Sequence, residues 1–294
     1  MTTNLRVLTW NVLGRDRPAR LDALCDTIRR INPDIVMLQE SSSEHAQHVG
    51  ARTGLQLIAV PDVPSAPSTS VPTLLARNPL QDGASIELSA PIDGHSYYAV
   101  TATFEHEKVL SQFCSTHLRH TDRAGRMGLD AGYRKAGRAG GADSTLVQNL
   151  APNLRHSVAA RLSQIDVLHE NLVGIAPNAT ARILCGDMNF VPDGPEYAAL
   201  LRKGWTDSWR AAPRLGSGST ILDRNPLIAD GRAPYQSLQV EAQPGGATHL
   251  DYTLDFQFNQ GQLTVNGAWT VGDPDDTGAP WPSDHLGIVV DYEL

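Results

Sequence analysis

Apolar residues along this chain fall into short runs that stop abruptly at polar ones. Residues 6–10 (Arg-Val-Leu-Thr-Trp) read as a buried strand ending at Asn11, and 35–38 (Ile-Val-Met-Leu) as a second, running straight into Gln39 and Glu40. Between them Leu21, Leu24, Cys25 and Ile28 recur at i, i+3, i+4 and i+7, an amphipathic helix stopped by Asn32-Pro33. Ser41 to Ser43 offer an N-cap for a second helix reaching about Val49, on which His45 and His48 are expected to face solvent. The opening is therefore β-α-β-α. Thr73–Ala76 is a short strand. Residues 85–88, 97–104 and 108–115 read as successive antiparallel strands, the last ending at His117. Val158, Leu162, Ile165 and Leu172 mark a helix stopped by Gly174. Ala181–Cys185 is another strand, broken by Gly186, Asp187 and Asn189. A short helix over 194–202, a strand-like stretch at 249–254 enclosing Asp251, a strand at 262–269 and a final strand at 286–292 complete the order.

One segment departs from this pattern. Over about 119–154, Arg119, Arg123, Arg126, Arg134, Lys135 and Arg138 face only Asp122, Asp130 and Asp143, amid many glycines. The expectation is a long basic loop inserted into a single domain spanning 1–294. Loops of this length are usually binding loops, lids or disordered segments.

Composition narrows the classes. With 294 residues, 41% hydrophobic and 19% charged, the chain is ordinary globular material. The net charge of −8 argues against a protein that coats nucleic acid through a broad basic face. The N-terminus shows no signal-peptide pattern and no apolar run is long enough to span a bilayer. Cys25, Cys114 and Cys185 are far apart in apolar contexts, which suits reduced thiols in the cytoplasm.

The chemistry-bearing residues gather at strand ends: Asn11, Glu40, His117, Asp187, Asn189, Asp251, Asp284 and His285. Asp187 and Asn189 are two apart, so an extended chain points both to one face. Oxygen donors of this kind suit Mg²⁺ or Mn²⁺, and two histidines supply proton transfer near neutral pH. The combination implies metal-assisted displacement at phosphorus.

Six motifs occur in order: Thr9-Trp10-Asn11-Val12, Leu38-Gln39-Glu40, Ser115-Thr116-His117-Leu118, Gly186-Asp187-Met188-Asn189, Asp251-Tyr252 and Ser283-Asp284-His285. Together they resemble the DNase I-like endonuclease/exonuclease/phosphatase superfamily. The resemblance implies a four-layer α/β/β/α sandwich with two mostly antiparallel sheets face to face. It implies that Glu40 is the principal Mg²⁺ ligand (Mn²⁺ substituting), with Asn11 beside it and Asp284 completing the metal environment. Asp187 would orient or deprotonate the attacking water, Asn189 contact the phosphate, and His285 bind it with Asp251 holding the ring. His117 would serve the leaving oxygen. Leu13 is a departure: AP endonucleases carry an acidic residue there, which points away from that branch.

The expected function is hydrolysis of a phosphoester by in-line attack of water. A small phosphorylated substrate needs only a local cationic pocket, which Arg119, Arg123, Arg126, Arg134 and Lys135 could line. A DNA or RNA nuclease is the alternative, and a non-catalytic binding module on the same fold is the alternative of another class. No membrane and no protein partner is implied.

Overall fold

The computed structural model describes residues 4–14, 18–59, 71–92, 95–106, 109–120, 145–222, 224–229, 251–274 and 279–294, with side chains omitted over 145–155. Arg123, Arg126, Arg134 and Lys135 lie outside the described residues.

The period-2 pattern sorts each strand's side chains between two cores. In β1 (Asn4–Asn11), Leu5 and Val7 enter one apolar cluster, while Leu8 and Trp10 enter another. In β2 (Ile35–Ser41), Ile35 and Met37 join the first, Val36 and Leu38 the second. The second cluster also holds Leu24, Cys25 and Ile28 of α1 (Pro18–Ile31) and Ala46 and Val49 of α2 (Ser43–Thr53). Both helices therefore cover the outer face of this sheet. Ser42 caps α2 by accepting from the His45 amide at 2.9 Å, and Gly54 closes it in the left-handed conformation.

The remaining strands are β3 (Gln56–Ala59), β4 (Val71–Ala76), β5 (Gln81–Ile92), β6 (His95–His106), β7 (Val109–His117), β8 (Ala181–Asp187), β9 (Thr206–Asp207), β10 (Arg214–Leu215), β11 (Asp255–Gly261), β12 (Thr264–Val271) and β13 (Gly287–Glu293). Among the described residues they form two mixed sheets. One runs β10-β12-β13-β1-β2-β4-β3, the other β5-β6-β7-β8-β11-β9. Most neighbours are antiparallel; β1 with β2, β7 with β8 and β10 with β12 are parallel.

The first cluster is the seam between the sheets, where Val7, Met37 and Val290 meet Val100, Phe113, Ile183 and Cys185. A third cluster lies outside the second sheet. There Cys114, Leu184, Phe256 and Phe258 pack on Ile165, Leu168 and Leu172 of α3 (Thr145–Ile175) and on Tyr197 and Leu200 of α4 (Pro195–Arg202). The molecule is thus the four-layer α/β/β/α sandwich that the sequence leads one to expect. Helix α3 starts at Thr145, so the last ten residues of the expected basic loop belong to a helix. All three cysteines are buried and unpaired.

Polar side chains also cross the seam. Gln39 Nε2 donates to Ser115 Oγ and Thr9 Oγ1, both at 3.1 Å. Gln257 Nε2 reaches the Val7 and Ile288 carbonyls at 3.1 and 2.8 Å. Buried amides satisfied in this way fix the spacing between the sheets better than apolar contact, because a slipped register would leave them unpaired.

The parallel approach of β8 to β7 depends on Gly186. Its φ is +149°, and an added Cβ would lie 1.9 Å from the Thr116 carbonyl oxygen. Gly186→Ala is expected to destabilise the fold by about 3 kcal/mol or more, since the clash is with backbone and the conformation is strained. Urea denaturation measures it; a loss below about 1 kcal/mol would refute the role given to this glycine.

Candidate active site

Strand parity brings the polar ends together. Asn11 shares the seam-facing side of β1 with Leu5 and Val7, and Asp187 shares that of β8 with Ile183 and Cys185. Where the strands end, the seam between the sheets opens, and the polar side chains occupy it. Asn11 Nδ2 donates to Asp187 Oδ2 at 2.9 Å and to Glu40 Oε1 at 3.2 Å, joining the two sheets at their rim.

Glu40 arrives against simple parity. By alternation it would face the outer helices with Leu38. A register irregularity between Leu38 and Ser41 and a φ of +52° at Glu40 turn its carboxylate to Asn11 instead. A left-handed non-glycine residue costs on the order of 1 kcal/mol or more, and such strain concentrates at functional sites. Leu13 and Asn189 are left-handed too, at +48° and +51°. Leu13 and Asn189 sit in the loops leaving β1 and β8, and Glu40 immediately precedes the last residue of β2.

Asp187 is the hub. It is 2% exposed. Its Oδ1 accepts from the Asn189 amide at 3.0 Å. Its Oδ2, besides Asn11, lies 3.4 Å from His117 Nε2 and 4.0 Å from His285 Nε2. Asn189 Nδ2 donates to the Leu118 carbonyl at 2.9 Å, tying the exit of β7 to the loop after β8.

The partner of His285 corrects the sequence reading. Asp251 was expected to hold the ring, but it is exposed. Asp255, four residues on, places Oδ2 2.8 Å from His285 Nδ1 and is fully buried. Asp255 opens β11 directly opposite Asp187. The signal was present in the alternation Asp255-Phe256-Gln257-Phe258-Asn259, whose phenylalanines enter the outer core and whose polar residues face the seam. Burial by itself would lower the His285 imidazole. The carboxylates of Asp255, Asp284 and Asp187 outweigh it and hold the ring well above the ordinary histidine range. Burial likewise raises Asp255, opposed by the charge of His285.

The loop carrying Asp284 and His285 is held at several points. Ser283 Oγ donates to the Asn11 carbonyl at 2.6 Å and lies 3.2 Å from Asp284 Oδ1. Trp10 Nε1 donates to the His285 carbonyl and Asn225 Nδ2 to the Ser283 carbonyl, both at 2.9 Å.

Two other expectations change. Arg119 is buried rather than part of an open cationic wall: its amide donates to Gln164 Oε1 at 2.9 Å and its carbonyl accepts from Arg161 at 3.1 Å. His45 is buried beside Ser41 Oγ, while His48 is exposed as expected.

Asp187, Asp255 and His285 bring donor atoms within 4.8 Å of one another, which a metal ion could use. Both Asp187 oxygens accept hydrogen bonds and Asp255 Oδ2 is bonded to His285 Nδ1, whereas Asp255 Oδ1 is buried with no hydrogen-bond partner among the described residues. Glu40 and Asp284 differ: both are partly exposed, and each has an oxygen without a hydrogen-bond partner among the described residues. These hard oxygen donors fit a divalent cation such as Mg²⁺.

A model of the Endonuclease/Exonuclease/phosphatase family matches residues 8–285, from within β1 to the second histidine of the site. The chain belongs to this family. Endonuclease/exonuclease/phosphatase proteins are mostly hydrolases of phosphoesters and are typically dependent on divalent metals. Solved structures of the same fold include an endonuclease/exonuclease/phosphatase from Bacteroides vulgatus, 17% identical, with 99% of each chain covered and a TM-score of 0.66. A mannosyl-6-phosphatase from Bacteroides thetaiotaomicron is 15% identical, covering 98% of this chain and 99% of that one, with a TM-score of 0.66. TDP2 of D. rerio, humanized by 14 mutations, is 16% identical over 99% of each chain, with a TM-score of 0.64. No curated protein matches the sequence. Among the described residues no helix is long and apolar enough to cross a membrane.

Proposed function

We propose that this chain is a divalent-metal-dependent phosphoester hydrolase acting on a small phosphorylated substrate. The observation that carries the reading is one buried carboxylate, Asp187, with His117 and His285 on one of its oxygens and a partly exposed acidic pair, Glu40 and Asp284, at the same rim. A bound Mg²⁺ or Mn²⁺ held by Glu40 and Asp284, with Asn11 Nδ2 orienting the Glu40 carboxylate, would neutralise charge on the phosphoryl oxygens.

The chain's own residues do the rest. Asp187 orients the attacking water and draws off its proton as the water oxygen bonds to phosphorus. His285, its ring fixed by Asp255, donates to a phosphoryl oxygen and stabilises the charge that develops there. His117 gives a proton to the ester oxygen as the P–O bond breaks. Asn11 and Asn189 hold Asp187 and the His117 loop in register. The net charge of −8 favours a small substrate over a polynucleotide, which needs cationic contacts along several phosphates.

The test is hydrolysis of p-nitrophenyl phosphate, bis(p-nitrophenyl) phosphate and supercoiled plasmid, each with Mg²⁺, Mn²⁺ or EDTA. Turnover of a nitrophenyl ester that EDTA abolishes is expected. Plasmid cleavage without ester hydrolysis would replace the small substrate by nucleic acid. Binding of neither metal and no turnover would leave a binding module.

A further inference from the structure

Arg20, in the first turn of α1, has a place that the reaction above does not use. It is 8% exposed, and its guanidinium spans two loops. Nε donates to the Pro282 carbonyl at 3.0 Å, and one terminal nitrogen donates to the Val12 and Leu13 carbonyls at 2.8 and 3.1 Å. Val12 and Leu13 follow Asn11; Pro282 precedes Ser283, Asp284 and His285.

We propose that Arg20 is a positioning residue for the reaction: a buried clamp that sets the separation between the Asn11–Glu40 side of the site and the Asp284–His285 side. The inference rests on the functional reading above. On one side the clamp acts through Leu13. This residue is held left-handed at φ +48°, a conformation a leucine rarely adopts, and Arg20 takes its carbonyl oxygen. With the turn so held, the Leu13 amide donates to Asn11 Oδ1 at 3.1 Å. That bond settles which end of the Asn11 amide meets Glu40 and Asp187. On the other side, fixing the Pro282 carbonyl fixes the entry to the residues bearing Asp284 and His285. Ser283 Oγ on the Asn11 carbonyl and Trp10 on the His285 carbonyl also join the two sides, each by one bond; Arg20 joins them by three, at the outer end of both loops.

The residue type matters. Burying a cation is costly unless it is hydrogen-bonded, and an apolar side chain would fill this space more cheaply. A planar fork with donors on separate nitrogens reaches two loops simultaneously, whereas a lysine ammonium is a single point. The requirement is geometric, so its loss should appear in turnover more than in substrate binding.

The experiment compares Arg20→Lys and Arg20→Ala with wild type in four measurements: kcat and KM on the preferred nitrophenyl ester, thermal stability, Mn²⁺ affinity by electron paramagnetic resonance, and rescue by added guanidinium. Expected are a fall in kcat of about 10²-fold with KM within about threefold. Mn²⁺ binding should weaken about tenfold, and guanidinium should partly restore the kcat of Arg20→Ala while leaving wild type unchanged. A kcat and an Mn²⁺ affinity within about threefold of wild type in folded variants would overturn the clamp. A loss that merely tracks the unfolded fraction would do the same. If Arg20→Ala does not fold, Arg20→Lys decides by kcat and Mn²⁺ affinity alone. If wild type turns over no substrate, the functional reading fails separately; weakened Mn²⁺ binding in Arg20→Lys still supports the clamp, and unchanged or absent Mn²⁺ binding overturns it.

Discussion

Asp187→Ala is expected to lower kcat by about 10³-fold or more, with kcat/KM falling in parallel. This carboxylate collects more of the site than any other group. Its Oδ2 receives Asn11 at 2.9 Å, and both histidines point ring nitrogens at the same atom. In the proposed mechanism, removing it takes away the group that orients and deprotonates the water, and it also releases the histidines from their common anchor. Such interactions are made fully only as the phosphoryl group is attacked, so the effect belongs in kcat. One Asn11 Nδ2 hydrogen and the Asn189 amide would be left without their acceptor in a buried place, at a cost of about 1–3 kcal/mol each, while Asn11 keeps its bond to Glu40. Thermal unfolding of the variant separates that loss from chemistry. A drop in kcat below about tenfold, in a folded variant, would remove Asp187 from the centre of the mechanism.

Much of this arrangement was legible in the sequence because it follows from alternation. Leu5, Val7, Thr9 and Asn11 share one side of β1, and the change from apolar to polar along that side marks where the seam between the sheets opens. Asp187 at the end of β8 repeats the logic. The less legible parts are those where alternation is broken or its partner lies elsewhere. Glu40 reaches the site through an irregularity of strand register and a left-handed backbone, and neither leaves a trace in composition. His45 lies one turn before Val49 on the inward stripe of α2, so a helical wheel already places it against the core, where Ser41 at the end of β2 meets it. Arg20 reads as one more charge on the first turn of a helix; that it faces the carbonyls of two distant loops depends on where residue 282 comes to lie. The choice between Asp251 and Asp255 is a matter of register. Both stand near the start of a strand, and only pairing with β8 puts Asp255 opposite Asp187.

That choice can be tested directly. Asp255→Asn is expected to lower kcat by about 10²-fold or more, while Asp251→Asn stays within about twofold of wild type. Asp255 is buried and bonded to His285 Nδ1 at 2.8 Å, so it fixes the ring's orientation and presents Nε2 toward Asp187. An amide of the same shape can still reach the ring, but it removes the negative charge that stabilises a protonated imidazole. It can also present its NH₂ to Nδ1, which demands the other tautomer. In both cases the ring is no longer held as an imidazolium, so the proposed donation from Nε2 to a phosphoryl oxygen becomes at best that of a neutral N–H. Full removal by Asp255→Ala would in addition strand a buried imidazolium, at about 3–5 kcal/mol of stability, a figure that applies to breaking a buried pair from one side. Asp251 is exposed, and His285 Nδ1 is bonded to Asp255. Steady-state kinetics of the two asparagine variants, side by side at one pH and one metal concentration, decide the matter. Equal losses in both would return Asp251 to the site, whereas a loss confined to Asp255→Asn makes the seam-facing polar positions of β11 part of the catalytic design.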